Sequence, residues 1–549
     1  MLSLLIAHII ITAFCLWSGS LFYKFFPVKN GNRQIIYLAI SGLILLTTFT
    51  QIILLFFPIN IYTKLVILGI LVLLSFYKIK NTKVIIAKKI SPSLILFFIA
   101  WGIILLINAG PTMMDDTESY HIQSIKWIQE YGSVPGLVNL HERFGFNSSW
   151  FSSVALFSFS AKTTGGFTVL NSVLSMWLCY WFISEYNQYN KGNNVQAAFA
   201  ILIVFITSIV IWPLIRGNSA TTNYDFITTV IVLILFTEGF FNEKVSFPIE
   251  WMVWPVYLFT VRVINFPLLA LSLFAFILFI KQKNYKATFL PLIYCLLLIV
   301  PFLIRNIIIS GYPFYPATYF DFINVDWKPD PQITERLLEY IKYYNRVSTT
   351  YLDIEQTKSL GSSWIHAWFQ HLFIFDKILV LAGFTGVLFT GIKLFVQKNI
   401  YSKSLIMALM IAWLVCWFIV SPDPRFVYGV LLCGIFLLAF HLNFFIKNSR
   451  SIKFLLNDLI ILIITGLSYY LVSKSLKQKE YRNWVLPLQL PQPPVKEIMI
   501  DRITFRMPEL INNNWNARCY GTNLPCLYKI DPRLKPRGEN INSGFRLEK

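Results

Sequence analysis

Charge is scarce in this sequence. Asp and Glu number 27 in 549 residues, and the four charged types together make up only 13%. A water-soluble chain usually carries about 25% charged residues, so a soluble globular fold of this length is excluded. Histidine is rarer still, at 6 residues, and no CxxC or Cys/His spacing of a structural zinc site occurs. His366 and His371 stand five apart and do not share a helical face, which argues against a zinc pair there. No GxSxG, P-loop or GxGxxG motif is present, so the common hydrolase and nucleotide-binding templates do not apply. There is no internal repeat, heptad array or low-complexity tract.

Apolar sequence is abundant: 56% of the residues are hydrophobic, gathered in long runs from end to end. Runs of roughly 18 or more apolar residues read as membrane-spanning helices. The pattern predicts an all-α polytopic membrane protein with about fourteen transmembrane helices. They fall at 2–23, 34–57, 65–77, 91–108, 166–186, 196–215, 222–241, 250–262, 265–281, 287–308, 377–396, 402–421, 425–446 and 451–473. The stretch 250–281 is interrupted by Arg262, Asn265 and Pro267 and reads as two helices or one broken helix. The run Leu2 to Phe22 lacks a basic leader and a small-residue cleavage site, so it is expected to be a retained helix.

Basic residues outnumber acidic ones by 47 to 27, a net charge of +20. The excess sits in short loops: Lys24, Lys29 and Arg33; Lys78, Lys80, Lys83, Lys88 and Lys89; Lys281, Lys283 and Lys286; Lys398 and Lys403; Lys447, Arg450 and Lys453. That is the signature of cytoplasmic loops, not of a nucleic-acid module, and nucleic acid is not an expected partner. The lipid bilayer is. The long polar segments 109–165, 309–376 and 474–549 then fall on the external face, although Lys474, Lys477, Lys479 and Arg482 run against that placement for the last.

The expected organisation is a set of N-terminal helices (1–90), a core (91–308) carrying the external loop 109–165, a second external loop (309–376), C-terminal helices (377–473) and a polar tail (474–549). Within the first loop, 148–160 and 117–131 read as interfacial helices. The composition suits a bacterial inner membrane. Five cysteines lie in apolar runs. Cys519 and Cys526 lie in the tail and would pair if it faces an oxidising compartment.

Candidate chemistry concentrates in Met114-Asp115-Asp116-Thr117-Glu118-Ser119-Tyr120-His121, directly after a predicted span. Acidic side chains at the membrane–water boundary can act as a general base or hold a metal, since partial desolvation raises carboxylate basicity. Asp116 or Thr117 could instead simply cap a helix. The same loop carries His121, Gln123, Trp127, His141, Arg143, Asn147 and Trp150, groups that hydrogen-bond or stack on polar ligands, while Arg favours phosphate. Elsewhere, Asp225 opens a helix, Arg262 interrupts one, Arg305 ends one, and Arg425 follows Ser421-Pro422-Asp423-Pro424. Ionisable groups at such depths are costly and are functional candidates.

The loop resembles that of the GT-C glycosyltransferases, polytopic enzymes that use polyprenyl-phosphate sugars. The matching features are the pair Asp115-Asp116 early in the first external loop, the two short helices after it, and the Arg425-Phe426 element near a later helix start. The Tyr120-His121-x-Gln123-x-Ile125-x-Trp127 and Arg305-Asn306-x-x-x-Ser310-Gly311-Tyr312-Pro313 elements are similar to uncharacterised bacterial members of that clan. The resemblance spans roughly 91–450 in architecture. The sequence departs from the pattern in placing three helices before the one that leads into the acidic pair. The resemblance implies a polyprenyl-phosphate-linked sugar donor, a glycan, lipid or protein acceptor, and Asp115 or Asp116 as catalytic base. His121, Gln123, His141, Arg143, Asn147, Asp225, Arg262, Arg305 and Arg425 would bind substrate. No cofactor is required by these residues; a divalent metal on Asp115, Asp116 and Asp225 is an open possibility. A polysaccharide polymerase or ligase resting on external arginines is the nearest alternative, and a transporter or flippase, which would show inverted repeats and mid-membrane charges, is a third.

Overall fold

The computed structural model describes residues 1–26, 35–76, 92–192, 194–210, 214–241, 249–281, 285–347, 354–397, 401–442, 449–509 and 518–548. Of the basic loop residues, Lys29, Arg33, Lys78, Lys80, Lys83, Lys88, Lys89, Lys283, Lys398 and Lys447 lie outside the described residues.

Every apolar run forms a helix. In order they are α1 (Leu2–Phe25), α2 (Ile35–Leu54), α3 (Ile61–Phe76) and α4 (Pro92–Ala109), then the short α5 (Ile122–Glu130) and α6 (Ser149–Phe157). There follow α7 (Thr164–Lys191), α8 (Val195–Val210), the single-turn α9 (Ile215–Ser219), α10 (Asp225–Phe241), α11 (Glu250–Val261), α12 (Leu269–Lys281) and α13 (Tyr285–Ser310). The second polar segment folds into α14 (Pro331–Val347), α15 (Ile354–Ser359) and α16 (Trp364–His371), before α17 (Ile374–Gln397), α18 (Tyr401–Val420), α19 (Tyr428–Leu442) and α20 (Ser449–Lys477). Among the described residues, 9 helices are long and apolar enough to cross a membrane, and Ile61–Leu74, Ser93–Ala109 and Val195–Ile209 are shorter apolar helices. The chain is therefore an integral membrane protein by its helices, and a mostly helical one.

The stretch 250–281 is a broken pair. α11 ends at Val261, Arg262 is extended, and a 3-10 segment, Val263–Leu268, leads into α12. A side chain braces the break: Asn265 Nδ2 donates at 2.9 Å to the Leu258 carbonyl, which also accepts from Arg262 N at 3.0 Å.

Helices pack as α1 on α2, α4 on α7, α7 on α8, and α19 against α8, α10 and α17. In lipid the apolar effect does not drive such contacts, so close approach through small residues matters more. A Cβ placed on Gly386 of α17 would fall on the Gly434 carbonyl of α19. At the rim, α20 is only 11% buried over its apolar window and presents Ile461, Leu462 and Tyr469 outward, a surface that suits acyl chains rather than water.

Two elements differ from expectation. The 148–160 stretch is α6, but it is wedged against α2, α5, α7 and α11 rather than open on a surface. Its serines satisfy neighbours inside the fold: Thr260 donates to Ser149 at 3.0 Å, and Ser153 and Thr47 lie 2.7 Å apart. Trp127 and Trp150, read as faces for a polar ligand, likewise are fully buried, and Trp150 Nε1 donates to Asn171 Oδ1 at 3.0 Å. The tail adds two antiparallel hairpins that the all-α expectation did not contain: β1 (Val495–Ile500) with β2 (Ile503–Pro508), and β3 (Leu534–Pro536) with β4 (Phe545–Leu547). Before them the chain threads between the ends of three helices. Leu2 N donates to Trp484 O, Leu488 N to Ala109 O, and Thr164 N to Leu488 O. The tail also meets the second polar segment, where Arg537 pairs with Asp326 at 2.9 Å. All three long polar segments thus share one face of the helical body.

The Gly386 contact is testable. Gly386→Leu is expected to cost about 3 kcal/mol or more, because backbone meets backbone there. Gly466→Leu, where nothing lies within 4 Å, should be near neutral. Thermal unfolding of detergent-purified protein reads both; equal melting would refute the packing account.

Candidate functional site

The acidic pair begins a turn whose geometry separates its two members. Residues 117–121 wind as a π-helical turn, a widened form that recurs at functional sites, and α5 continues from it. Successive residues on a helical turn point about 100° apart, so Asp115 and Asp116 face different neighbours. Asp116 turns inward and is 21% exposed; Asp115 turns outward and is 53% exposed. Asp116 makes no capping hydrogen bond with its side chain. Its two oxygens go to two arginines instead: Oδ1 to Arg143 Nη1 at 3.2 Å and Oδ2 to Arg425 Nη1 at 3.1 Å.

Arg425 is the hub. Its Nε lies 2.8 Å from Asp423 Oδ2 and 3.8 Å from Asp225 Oδ2. Asp225 in turn holds Arg262 Nη1 at 2.6 Å. The result is a continuous row, Arg143–Asp116–Arg425–Asp225–Arg262, with Asp423 at its side. Aromatic faces line it: the Arg262 guanidinium sits 3.6 Å from the Phe426 ring centre and 5.6 Å from that of Tyr224, and Arg143 lies 5.5 Å from Tyr120. Such faces stabilise a cation where water is partly excluded.

Local sequence explains each placement. Asp423 accepts from Arg425 N at 3.0 Å and caps a 3-10 turn with Pro424 at its first position. Asn223 Oδ1 accepts from Asp225 N at 3.0 Å, which leaves the Asp225 carboxylate free of a capping duty. His141 Nδ1 accepts from Arg143 N at 3.0 Å and so shapes the turn that carries Arg143. The 221–225 link is stapled to the acidic turn: His121 Nδ1 is 3.1 Å from Thr222 Oγ1, and Thr222 N donates to Thr117 Oγ1. From below, Asn171 Nδ2 donates to the Asn223 carbonyl at 3.0 Å.

Burial acts to raise the Asp116 carboxyl, but the groups around it, Arg425 foremost, outweigh it and hold the group below the usual carboxylate range. His121 is driven by burial down to about 3, as is His141, so both rings are neutral at physiological pH.

The structure thus brings together Asp116, Arg143, Asp225, Arg262 and Arg425, with His121 beside them through Tyr120 and Tyr224, whose ring centres lie 4.4 and 5.4 Å from its own. Other candidates point elsewhere. Asp115 pairs with Arg518 of the tail. Gln123 donates to the Tyr520 carbonyl at 3.0 Å. Asn147 donates to Phe302 O at 3.1 Å and accepts from Arg305, which is buried near the end of α13 and does not reach the row. Among the described residues no group of three His, Cys, Asp or Glu side chains could hold a metal ion, and Asp115, Asp116 and Asp225 each face an arginine. Sequence reasoning did not single out Asp423, Tyr224, Glu118 or Arg518. Asp423 was signalled by its position directly before Pro424-Arg425, and Tyr224 by its place in Asn223-Tyr224-Asp225. The tail cysteines are joined, Cys519 to Cys526.

Because the folded Asp116 carboxyl lies below its unfolded value, its stabilisation is present above the ordinary Asp range near pH 4 and is lost as pH falls through the depressed folded value. Asp116→Asn should therefore unfold at lower temperature than wild type at pH 7, a loss of roughly 2 kcal/mol, since Arg143 loses its carboxylate and Arg425 one of three. The gap should stay constant down to about pH 5 and narrow below about pH 4. Thermal unfolding across that range tests it; a gap that widens in acid would contradict the ion-pair account.

No curated protein and no solved structure matches the chain. Residues 1–432 match a family described as a domain of unknown function, DUF8201, a span that takes in the whole ion-pair row and stops before the tail. The chain is a member of that family.

Proposed function

We propose that the protein is a membrane glycosyltransferase of the GT-C type, which moves a sugar from a polyprenyl-phosphate donor to a glycan, lipid or protein acceptor on the external face of a bacterial inner membrane. In this reading the fourteen helical runs, including the short ones, serve as spans. The observation that carries it is the position of Asp116 between Arg143 and Arg425, just after α4, where a lipid-borne phosphate and a water-borne acceptor could both arrive.

The chemistry needs a base for the acceptor hydroxyl and cations for the leaving phosphate. The acceptor oxygen attacks the anomeric carbon, its proton passes to Asp116, and the bond from that carbon to the phosphate oxygen breaks with its electron pair going to the phosphate. Arg143, Arg425 and Arg262 would take up that charge. Asp116 is a weak base while both arginines hold it. A phosphate that draws the arginines to itself relieves that restraint, so the carboxylate gains basicity when donor is present. His121 beside it is neutral, its basicity lowered by burial.

A second reading has its own support: three arginines meet on one face, which suits a polymerase or ligase acting on lipid-linked glycans through its cations alone. The two separate by mutation. Reconstituted full-length protein is supplied with polyprenyl-phosphate sugars, and transfer is measured. Glycosyl transfer through Asp116 predicts a loss of about 100-fold or more for Asp116→Asn, as for removal of a general base. The cation-only reading predicts near-normal rates for Asp116→Asn and loss on Arg425→Ala. Sidedness has its own check: a reporter fused after Glu480 should register the external side, and a cytoplasmic signal would overturn the external placement of the site.

A further inference from the structure

The acidic turn carries three carboxylates within four residues, Asp115, Asp116 and Glu118. Only Asp116 belongs to the arginine row. The other two are met by a single residue from outside the family-matched span. Arg518 places Nη2 on Asp115 and Nη1 on Glu118, and Tyr520 OH donates to Glu118 Oε2 at 3.1 Å. Thr112 adds a hydrogen bond to the other Glu118 oxygen.

Arg518 is held there firmly. It directly precedes Cys519, whose bond to Cys526 closes a short loop with both cysteines buried. Carbonyls of that loop take donors from α5: Gln123 Nε2 reaches Tyr520 O at 3.0 Å, and Lys126 Nζ reaches Thr522 O at 2.6 Å and Gly521 O at 3.3 Å. Lys126 is itself buried, so its ammonium depends on those carbonyls. On its far side the loop is tied to β2, with Arg506 N donating to Pro525 O and Leu527 N to Arg506 O, both at 2.9 Å.

We infer that Arg518 is a positioning residue: as counter-ion to Asp115 and Glu118 it keeps both carboxylates away from Arg143 and Arg425, which are thereby left to Asp116 and to an incoming phosphate. Without it, three arginines of the row would face five carboxylates in and beside it, and an anion would approach against that excess. The phosphate clause rests on the functional reading above; the electrostatic clause does not.

The test uses the full chain in lipid nanodiscs, titrated with decaprenyl phosphate, with hydrogen exchange over residues 113–123 followed in the same samples. Arg518→Ala is expected to raise the Kd about fivefold, with exchange faster over that stretch and the effect smaller at high salt. Arg518→Lys should restore part of both. The deciding variant adds Asp115→Asn and Glu118→Gln to Arg518→Ala. It removes the charge that required a counter-ion, so binding and exchange should return to within about twofold of wild type. A scaffolding role for Arg518 predicts no such rescue. A triple variant as weak and as fast-exchanging as Arg518→Ala, or an Arg518→Ala protein that exchanges like wild type, overturns the inference. If wild type itself does not bind decaprenyl phosphate, the functional reading fails while the exchange series still decides the role of Arg518.

Discussion

The contacts of the Arg425 guanidinium are the interaction on which this face of the protein depends. The group touches Asp116 from the first polar loop, Asp225 from the start of α10 and Asp423 from the link between α18 and α19. These residues are far apart in sequence and meet only once the helices have packed. Three carboxylates brought this close would repel one another, and partial burial would magnify the repulsion. One shared cation turns that liability into a rigid row. The surrounding details serve the same end: Asp423 caps the turn that aims Arg425, Asn223 takes over the capping role at α10, and Thr117, His121 and Thr222 fasten the two acidic segments together. A network in which each member satisfies the next resists rearrangement more than its separate pairs would.

Hydrophobic runs made the helical body legible. Membrane helices satisfy their own backbone, so an apolar run of sufficient length admits little else. What the pattern could not tell was which short helices lie inside. α6 is rich in Ser and Phe, as a surface-lying helix would be, yet its hydroxyls pair with Thr47 and Thr260 of other helices, and no one-dimensional pattern distinguishes those partners from water. The tail hairpins were illegible for a related reason. Their strands are short, and the residues they bury, Phe505 and Phe545, pack on each other and on Trp127 of α5, partners far away in sequence.

The site was legible in part, and the division follows charge density. Arg262 and Arg425 stood out because a charge inside or beside an apolar run is expensive. Arg518 did not, because in a polar tail a guanidinium is ordinary. The adjacent Asp115 and Asp116 looked interchangeable in sequence. Helical geometry separates them: one turns to the row inside, the other to the tail outside. A pair motif therefore concealed two different sets of partners, which the rotation of about 100° per residue and the arginines on either side assign.

That separation bears on how such a site could work. A carboxylate clamped by two arginines is ionised but weakly basic, which is a poor state for abstracting a proton and a good one for waiting. In the glycosyl-transfer reading, the ligand that would free Asp116 is the phosphate whose sugar it must help to transfer, since both compete for Arg143 and Arg425. Activation would then follow donor occupancy without any large movement, and in the absence of donor the carboxylate would stay restrained. Such coupling works only if no other acid can take the arginines when Asp116 yields them. Asp225 and Asp423 already hold their places on Arg425; Asp115 and Glu118, one residue before Asp116 and two after, are the further acids on the same turn. In that reading, holding them on Arg518 would keep the response of the row specific to phosphate.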